Sequence, residues 1–169
     1  MSDVKGAKAG AAEARQYLTF LLAGEEYGVD ILRVQEIKGW DTATRIPRTP
    51  SYVLGVINLR GSVVPVLGLR QRFGLEPVPF GPTTVVIVLR ANGSRGERTV
   101  GIVVDAVSEV YNIEESDLKL PPQECNQLDA RFVKSLATIE KKMLILLDVD
   151  LLVGEDANVA DGALGAAAA

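Results

Sequence analysis

The sequence predicts an all-β protein built mainly of short antiparallel strands. About nine or ten short runs rich in valine, isoleucine, leucine, tyrosine and phenylalanine follow one another along the chain. Glycine, proline and asparagine separate these runs and mark turns. Long amphipathic segments that could serve as the crossover helices of a parallel sheet are missing. We therefore expect two small antiparallel barrels or one sandwich, with only brief helical pieces.

The composition predicts a folded core and no direct insertion into a membrane. The chain has 169 residues, of which 47% are hydrophobic and 24% are charged, which is typical of a globular protein. The longest apolar runs are Val85–Leu89 and Met143–Leu147. Both are far shorter than the roughly 20 residues that a membrane-spanning helix needs.

The charge and the missing residue types narrow the classes of function. A net charge of −4 gives no overall basic field, so we expect no nucleic-acid partner. The absence of histidine removes Ser–His and Cys–His nucleophile pairs and the commonest ligand for zinc and copper, but it leaves carboxylate chemistry and magnesium sites open. Cys125 is the only cysteine, so an internal disulfide is impossible, which suits the reducing cytoplasm.

The ends and one internal segment suggest how the chain is organised. Residues 1–14 are expected to form a flexible arm without an apolar signal segment, and residues 156–169 a flexible tail rich in alanine and glycine. The folded part is predicted to span residues 15–155. Residues 76–82, the densest cluster of proline and glycine, are the predicted junction between two β-barrel subdomains.

The first half of the chain contains two predicted hairpins. "QYLTFLLA" and "EEYGVDI" flank a break at Ala23 and Gly24. "DILRVQEI" is ambiguous, because Asp30 could cap a short helix whose apolar residues recur at helical spacing. "GVINL" and "SVVPVL" form the second hairpin.

Two residues qualify the elements around that second hairpin. Pro65 lacks a backbone N–H, which places its strand at a sheet edge or a bulge. "LRQRFG" then reads as a short helix that ends at Gly74.

The second half repeats this pattern of paired apolar runs. "TTVVIVLR" and "RTVGIVVD" flank the polar loop "ANGSRGE", which predicts a hairpin. "AVSEVYNI" alternates over part of its length and is predicted to be a strand. "RFVKSLATIE" and "KKMLILLDVD" form the last predicted pair of strands.

Few residues suggest catalytic chemistry. Asp148 and Asp150 are two positions apart, so on a strand they would share a face and could act as an acid/base or metal pair. The alternative is that Asp148 ends a strand and Asp150 caps a final helical turn. Trp40 follows a glycine in a polar setting, which fits an anchor at a protein interface as well as a core residue.

Several of these motifs together resemble one known family. "VQEI" and "NLRGSVVPV" are the most specific, and "TTVVIVLR", "VGIVVDAVSEV" and "MLILLDVDLL" follow in the same order and spacing. The chain from residue 16 to residue 153 is similar to the CheW family of bacterial chemotaxis coupling proteins. The family often has Asp where this chain has Gly68, and glycine near Ser135.

The resemblance implies an adaptor and not an enzyme. CheW-like proteins have two packed SH3-like five-stranded β-barrels with short helical segments, and they need no cofactor. They bridge the cytoplasmic tips of methyl-accepting chemoreceptors to the regulatory domain of a CheA-type histidine kinase, in the cytoplasm at membrane-associated arrays. Two alternatives stay open: the same scaffold in a non-motility receptor array, and a β-barrel enzyme that uses Asp148 and Asp150.

The resemblance also implies two groups of site residues and no catalytic or metal-binding ones. Arg60 would pair with a receptor carboxylate or hold Glu36 in place within the adaptor. The receptor-binding group comprises Glu36, Arg60, Gly61, Val85, Gly101 and Val110. The kinase-binding group comprises Val34, Ile37, Gly39, Trp40 and Gly55.

Overall fold

The computed structural model describes residues 15–93, 96–120 and 132–152. The arm predicted for residues 1–14 and the tail predicted for residues 156–169 lie outside these ranges. The described part contains eleven β-strands, which confirms the all-β class. The strands are β1 (Arg15–Leu22), β2 (Glu25–Asp30), β3 (Val34–Gly39), β4 (Val53–Leu59), β5 (Ser62–Gly68), β6 (Val85–Gly93), β7 (Gly96–Val104), β8 (Ala106–Ile113), β9 (Leu118–Lys119), β10 (Val133–Ile139) and β11 (Lys142–Leu147).

The helical pieces are short, as the sequence predicts. Ile31–Arg33 forms a single 3₁₀ turn, and Asp30 caps it by accepting a hydrogen bond from the Leu32 N–H at 2.9 Å. The ambiguous segment is therefore a capped turn followed by β3. Helix α1 (Leu69–Arg72) begins after Gly68, which offers no side-chain cap. A second 3₁₀ turn spans Glu115–Asp117. Among the described residues, no helix is long and apolar enough to cross a membrane.

The strands form two packed sheets. One has six strands in the order β9-β10-β11-β2-β1-β8, and the other has five in the order β3-β6-β7-β5-β4. All four predicted hairpins are present as antiparallel pairs: β1 with β2, β4 with β5, β6 with β7, and β10 with β11. Each sheet also contains one short parallel contact, β2 with β11 and β5 with β7, so the sheets are mixed and not purely antiparallel.

Pro65 lies in a strand with neighbours on both sides, yet its missing N–H leaves no gap in the ladder. It pairs with Val56 of β4, but Val56 exchanges its backbone hydrogen bonds with Thr44, on the opposite side. Pro65 therefore occupies a non-hydrogen-bonded position toward β4. On its other side, the parallel contact with β7 begins only at Val66. β5 is therefore not an edge strand, but its pairing with β4 has a register shift between Val53 and Gly55, beside the Pro65–Val56 pair.

A large apolar cluster fills the space between the two sheets. Residues of β6 show how the sequence builds it, because alternate side chains point to opposite faces of a strand. Ile87 and Leu89 belong to this shared cluster. Val86 and Val88 lie on the opposite face of β6, in a separate cluster formed by residues of the five-stranded sheet. Both faces of β6 are therefore buried, which explains its unbroken apolar run. A third cluster lines the interior of the six-stranded sheet, around Tyr17, Ile113, Ala137, Leu144 and Leu146.

The chain passes between the sheets at two points. Strands β3 to β7 form the five-stranded sheet, while β1, β2 and β8 to β11 form the other. The crossings therefore fall at Ile31–Arg33 and at Asp105, which lies between β7 and β8. Residues 76–82 join α1, which packs against β5 and β7, to β6, a strand of the same sheet. A subdomain junction near residues 76–82 stays a prediction.

Candidate functional site

Arg60 and Gly61 form the tight turn between β4 and β5. Leu59 pairs with Ser62, so only two residues make the connection. Both have left-handed backbone angles, with φ of 51° for Arg60 and 88° for Gly61. Such angles at both positions define the turn whose twist matches that of a hairpin. The side chain of Asn58 fixes the turn by accepting a hydrogen bond from the Gly61 N–H at 2.9 Å.

The Arg60 guanidinium forms an ion pair with Glu36 of β3. β3 and β4 are the two outer strands of the five-stranded sheet, so this contact links its opposite edges. The hydrogen bond to Glu36, reinforced by the carboxylate charge, raises the pKa of Arg60. The side chain of Arg60 is nevertheless 69% exposed, whereas that of Glu36 is 26% exposed. The ion pair is therefore open to a competing charged group.

β3 presents apolar side chains to solvent from an outer strand. Ile37 is 41% exposed, whereas Val34 is half-buried against the shared cluster. A register shift between Val34 and Glu36 bends the strand locally. Leu32, in the preceding 3₁₀ turn, is 72% exposed and is not among the predicted site residues. The only available signal was a leucine next to a capped turn, which is too general to mark a site.

Trp40 is a core residue and a surface residue at once. Its backbone N–H donates to the Thr84 carbonyl oxygen at 3.0 Å, and its ring packs against the interior of the five-stranded sheet. The other side of the ring meets Phe80, with 4.5 Å between ring centroids. Phe80 is itself 45% exposed and was not selected from the sequence, because it stands among prolines and glycines.

Gly55 serves a close approach of two backbone segments. Its φ is 145°, and a Cβ at this position would collide with the carbonyl oxygen of Thr44. Thr44 and Val56 exchange two backbone hydrogen bonds of 2.9 and 2.8 Å there. Gly55 is buried, so any effect of this residue on a partner acts through the position of β4.

The remaining predicted receptor-binding residues lie on three other strands, β6, β7 and β8. Val85 packs half-buried against the shared cluster. Gly101 is buried in β7, where an added Cβ would lie 2.7 Å from Val86 Cγ1. Val110 belongs to β8, an outer strand of the six-stranded sheet, and is 48% exposed. The structure joins Glu36 to the Arg60 turn by an ion pair, and the strand ladder places Gly101 across Val88 from Glu36. Val110 lies in the other sheet.

Asp148 and Asp150 do not form a pair on a strand. β11 ends at Leu147, and Asp148 caps the helical turn that follows by accepting from the Leu151 N–H at 3.1 Å. The expectation that Asp150 is the capping residue is therefore wrong. Asp150 instead binds Arg33 through two hydrogen bonds of 2.7 and 2.9 Å. Within the described ranges, no group of three or more acidic, histidine or cysteine residues could hold a metal ion.

Two packed β-sheets that carry an exposed ion pair and exposed apolar side chains on outer strands define a β-rich protein-interaction module. The comparison with known proteins specifies the class. A family model described as "CheW-like domain" matches residues 16–157. The chain belongs to the CheW family; it is a chemotaxis coupling scaffold and not an enzyme.

Individual relatives support this assignment along most of the chain. Chemotaxis protein CheW of Klebsiella aerogenes is 41% identical over 148 residues, which cover 88% of this chain and 87% of the relative. A probable chemotaxis protein CheW of Rhizobium etli is 34% identical over 141 residues, covering 83% and 88%. The crystal structure of the scaffolding protein TtCheW from Thermoanaerobacter tengcongensis superposes with a TM-score of 0.76 at 34% identity, covering 82% of this chain and 92% of that one.

Proposed function

We propose that this chain couples the cytoplasmic tips of methyl-accepting chemoreceptors to the regulatory domain of a CheA-type histidine kinase. It would do so in the cytoplasm, at membrane-associated receptor arrays. The family assignment supports a scaffold that joins receptor and kinase in general. The observation that carries the proposal for this chain is the exposed ion pair between Arg60 and Glu36, which leaves a cation accessible on a rigid hairpin turn.

The receptor surface is centred on Glu36, Arg60 and Gly61. A receptor carboxylate replaces Glu36 as the partner of Arg60, and such charge-assisted hydrogen bonds of arginine are strong and directional. Glu36 is then free to accept from a basic receptor side chain. Val85, Gly101 and Val110 complete the group: Val110 contributes an exposed apolar contact, whereas half-buried Val85 and buried Gly101 set the spacing of the strands beneath the surface.

The kinase surface is centred on β3 and the residue after it. Ile37 offers an exposed apolar side chain and Trp40 an aromatic one, and aromatic residues are enriched at binding hot spots. Val34 and Gly39 belong to the same edge strand, whereas Gly55 lies in β4 at the opposite edge of the five-stranded sheet. The regulatory domain of the kinase packs a barrel of its own against the edge formed by β3.

The proposal is tested by measuring affinity for each partner separately. One titration uses receptor in lipid nanodiscs and the other uses the isolated kinase regulatory domain. Arg60→Glu is expected to weaken receptor binding by about tenfold or more, since it removes a charge-assisted contact and places two acids together. Ile37→Asp is expected to weaken kinase binding and leave receptor binding unchanged.

Arg15→Glu is the matched control, because Arg15 is an exposed cation whose 3.5 Å contact with Asp30 stays within one sheet. Thermal unfolding of each variant checks that the fold is intact. Loss of both affinities in Arg60→Glu, or of neither, would contradict the separate receptor surface.

A further inference from the structure

The two crossings between the sheets carry the same kind of polar contact. At the first crossing, Arg33 of the 3₁₀ turn binds Asp150, which follows β11. At the second, Asp105 between β7 and β8 binds Arg70 of α1. Both pairs are bidentate, with each guanidinium donating to both oxygens of its carboxylate. At the first crossing, the residue in the crossing segment is the arginine, Arg33. At the second crossing, it is the aspartate, Asp105.

The contact at the first crossing joins three separate segments. Besides the two bonds from Arg33, Asp150 Oδ1 accepts from the backbone N–H of Asn92 in β6 at 2.8 Å. Arg33 also donates to the Arg90 carbonyl oxygen at 3.3 Å, and Arg90 donates back to the Leu32 carbonyl oxygen at 3.1 Å. Asp150 thus ties the segment after β11, in the six-stranded sheet, to β6, an inner strand of the five-stranded sheet.

The contact at the second crossing has the same character. Arg70 donates to the two carboxylate oxygens of Asp105 at 3.0 and 2.7 Å. Asp105 also accepts from the Ala23 N–H, in the turn between β1 and β2, at 3.0 Å. Its backbone carbonyl accepts from the Thr83 hydroxyl at 2.9 Å. Asp105 therefore gathers α1, the turn of the first hairpin and the segment before β6.

We propose that Asp105 and Asp150, with Arg70 and Arg33, are positioning residues that fix the angle between the two sheets. Through that angle they set the relative placement of the receptor and kinase surfaces, so this inference rests on the proposed function. The shared apolar cluster holds the sheets together, but apolar burial is non-directional and tolerates small rotations. Two bidentate contacts at separate crossings resist such rotations, because each has planar, directional geometry.

The protonation of both carboxylates agrees with this role. The hydrogen bonds from Arg70 lower the pKa of Asp105, despite partial burial of its carboxyl group. Burial alone would raise the pKa of Asp150, but hydrogen bonds from Arg33 and Asn92 bring it below its ordinary value. Both groups are therefore charged at neutral pH, and both contacts are at full strength.

The experiment measures the distance between the sheets by double electron–electron resonance. Spin labels are attached at Ser62→Cys in the five-stranded sheet and Thr138→Cys in the six-stranded one, both exposed, in a Cys125→Ser background. Arg33→Gln and Arg70→Gln each remove one bidentate contact. Arg15→Gln is the matched control, since its ion pair with Asp30 joins strands of one sheet.

We expect a broader distance distribution in Arg33→Gln and in Arg70→Gln, and an unchanged one in Arg15→Gln. Arg33→Lys and Arg70→Lys keep the charge but not the planar fork, so they too should broaden the distribution. These lysine variants also give a result if a glutamine variant fails to fold. Distributions as narrow as that of the unsubstituted protein in the variants of either crossing would overturn the proposal.

Kinase activation measured with the same proteins, without spin labels, separates this inference from the proposed function. The Arg33 and Arg70 variants should bind each partner as the unsubstituted protein does, yet activate the kinase about fivefold less, at the lower end of typical coupling between sites. If the unsubstituted protein itself fails to activate, the proposed function is overturned, and the distance measurement still decides whether the contacts fix the angle. Full activation by variants with broadened distributions would overturn the link between the angle and coupling.

Discussion

At the scale of single residues, Arg60 stands in a backbone conformation that arginine seldom adopts. Its φ of 51° lies in the left-handed region, where asparagine is several times more frequent than other non-glycine residues. Strained residues of this kind cluster at functional sites. The choice of arginine over asparagine is therefore explained by what its side chain contacts and not by the turn.

Replacing Arg60 by asparagine should change stability and receptor binding in opposite directions. Arg60→Asn creates the Asn-Gly pair that hairpin turns prefer, so the melting temperature should rise. The exposed ion pair with Glu36 contributes little to stability, but its loss should weaken receptor binding. Thermal unfolding and a receptor titration measure the two effects. A lower melting temperature with unchanged receptor affinity would contradict this account of Arg60.

Gly55 and Gly39 allow a matched comparison within the predicted kinase surface. Gly55→Ala places a Cβ against the Thr44 backbone at a left-handed φ, so it should lower the free energy of unfolding by about 2–4 kcal/mol. Gly39→Ala adds a Cβ in open space and should change it by less than about 0.5 kcal/mol. Urea denaturation measures both values. Equal effects would refute the role of Gly55 as the point of closest backbone approach.

At the scale of strands and turns, local contacts were predictable from the sequence and distant ones were not. The four hairpins join strands that are consecutive in the sequence. Their turns contain residue types that predict a turn, as in the segment from Asn58 to Gly61. The parallel contact of Tyr27 with Ile145 joins segments far apart in the chain, and no local pattern specifies it. For the same reason the partner of Asp150, 117 residues away, could not be predicted.

The contacts at the two crossings should make the free energy of unfolding decrease as the pH falls into the acid range. The pKa of Asp105 is lowered from 3.8 in the folded chain, so its contribution is fully present above that value and is lost as pH falls below it. The pKa of Asp150 is also lowered in the folded chain, so its contribution to stability is lost in the same direction. Arg70 and Arg33 stay charged throughout.

Urea denaturation at pH 7, 5, 4 and 3 measures this dependence. Below pH 4, Asp105→Asn should lose less stability than the unsubstituted protein, because it has no carboxylate left to protonate there. Parallel acid profiles for the two proteins would show that Asp105 is not one of the groups responsible.

At the scale of the whole molecule, four aromatic rings run through the core shared by the sheets. Neighbouring ring centroids are 5.9 Å apart for Phe20 and Tyr27, 5.7 Å for Tyr27 and Phe73, and 6.0 Å for Phe73 and Phe132. Burial raises the pKa of Tyr27 to about 12, so this ring is neutral in the core at ordinary pH. The row of rings connects β1 and β2 of the six-stranded sheet with the end of α1. This helix directly follows β5 of the five-stranded sheet.

Phe73 should therefore matter far more to stability than an exposed phenylalanine. Phe73→Ala is expected to lower the free energy of unfolding by about 3–5 kcal/mol, whereas Phe80→Ala, which removes a half-exposed ring, should cost about 1 kcal/mol or less. Denaturant titration compares the two. Similar losses would contradict the assignment of the aromatic row as the centre of the shared core.

Coupling of receptor to kinase is measured through phosphorylation of the kinase. Receptor-bearing membranes, a CheA-type kinase and this protein are mixed, and phosphate incorporation is followed with the unsubstituted protein, Arg60→Glu and the control Arg15→Glu. The account predicts activation by the unsubstituted protein and by the control, and loss of activation in Arg60→Glu with kinase binding retained. Full activation by Arg60→Glu would contradict the role given to Arg60, and no activation by the unsubstituted protein would contradict coupling itself.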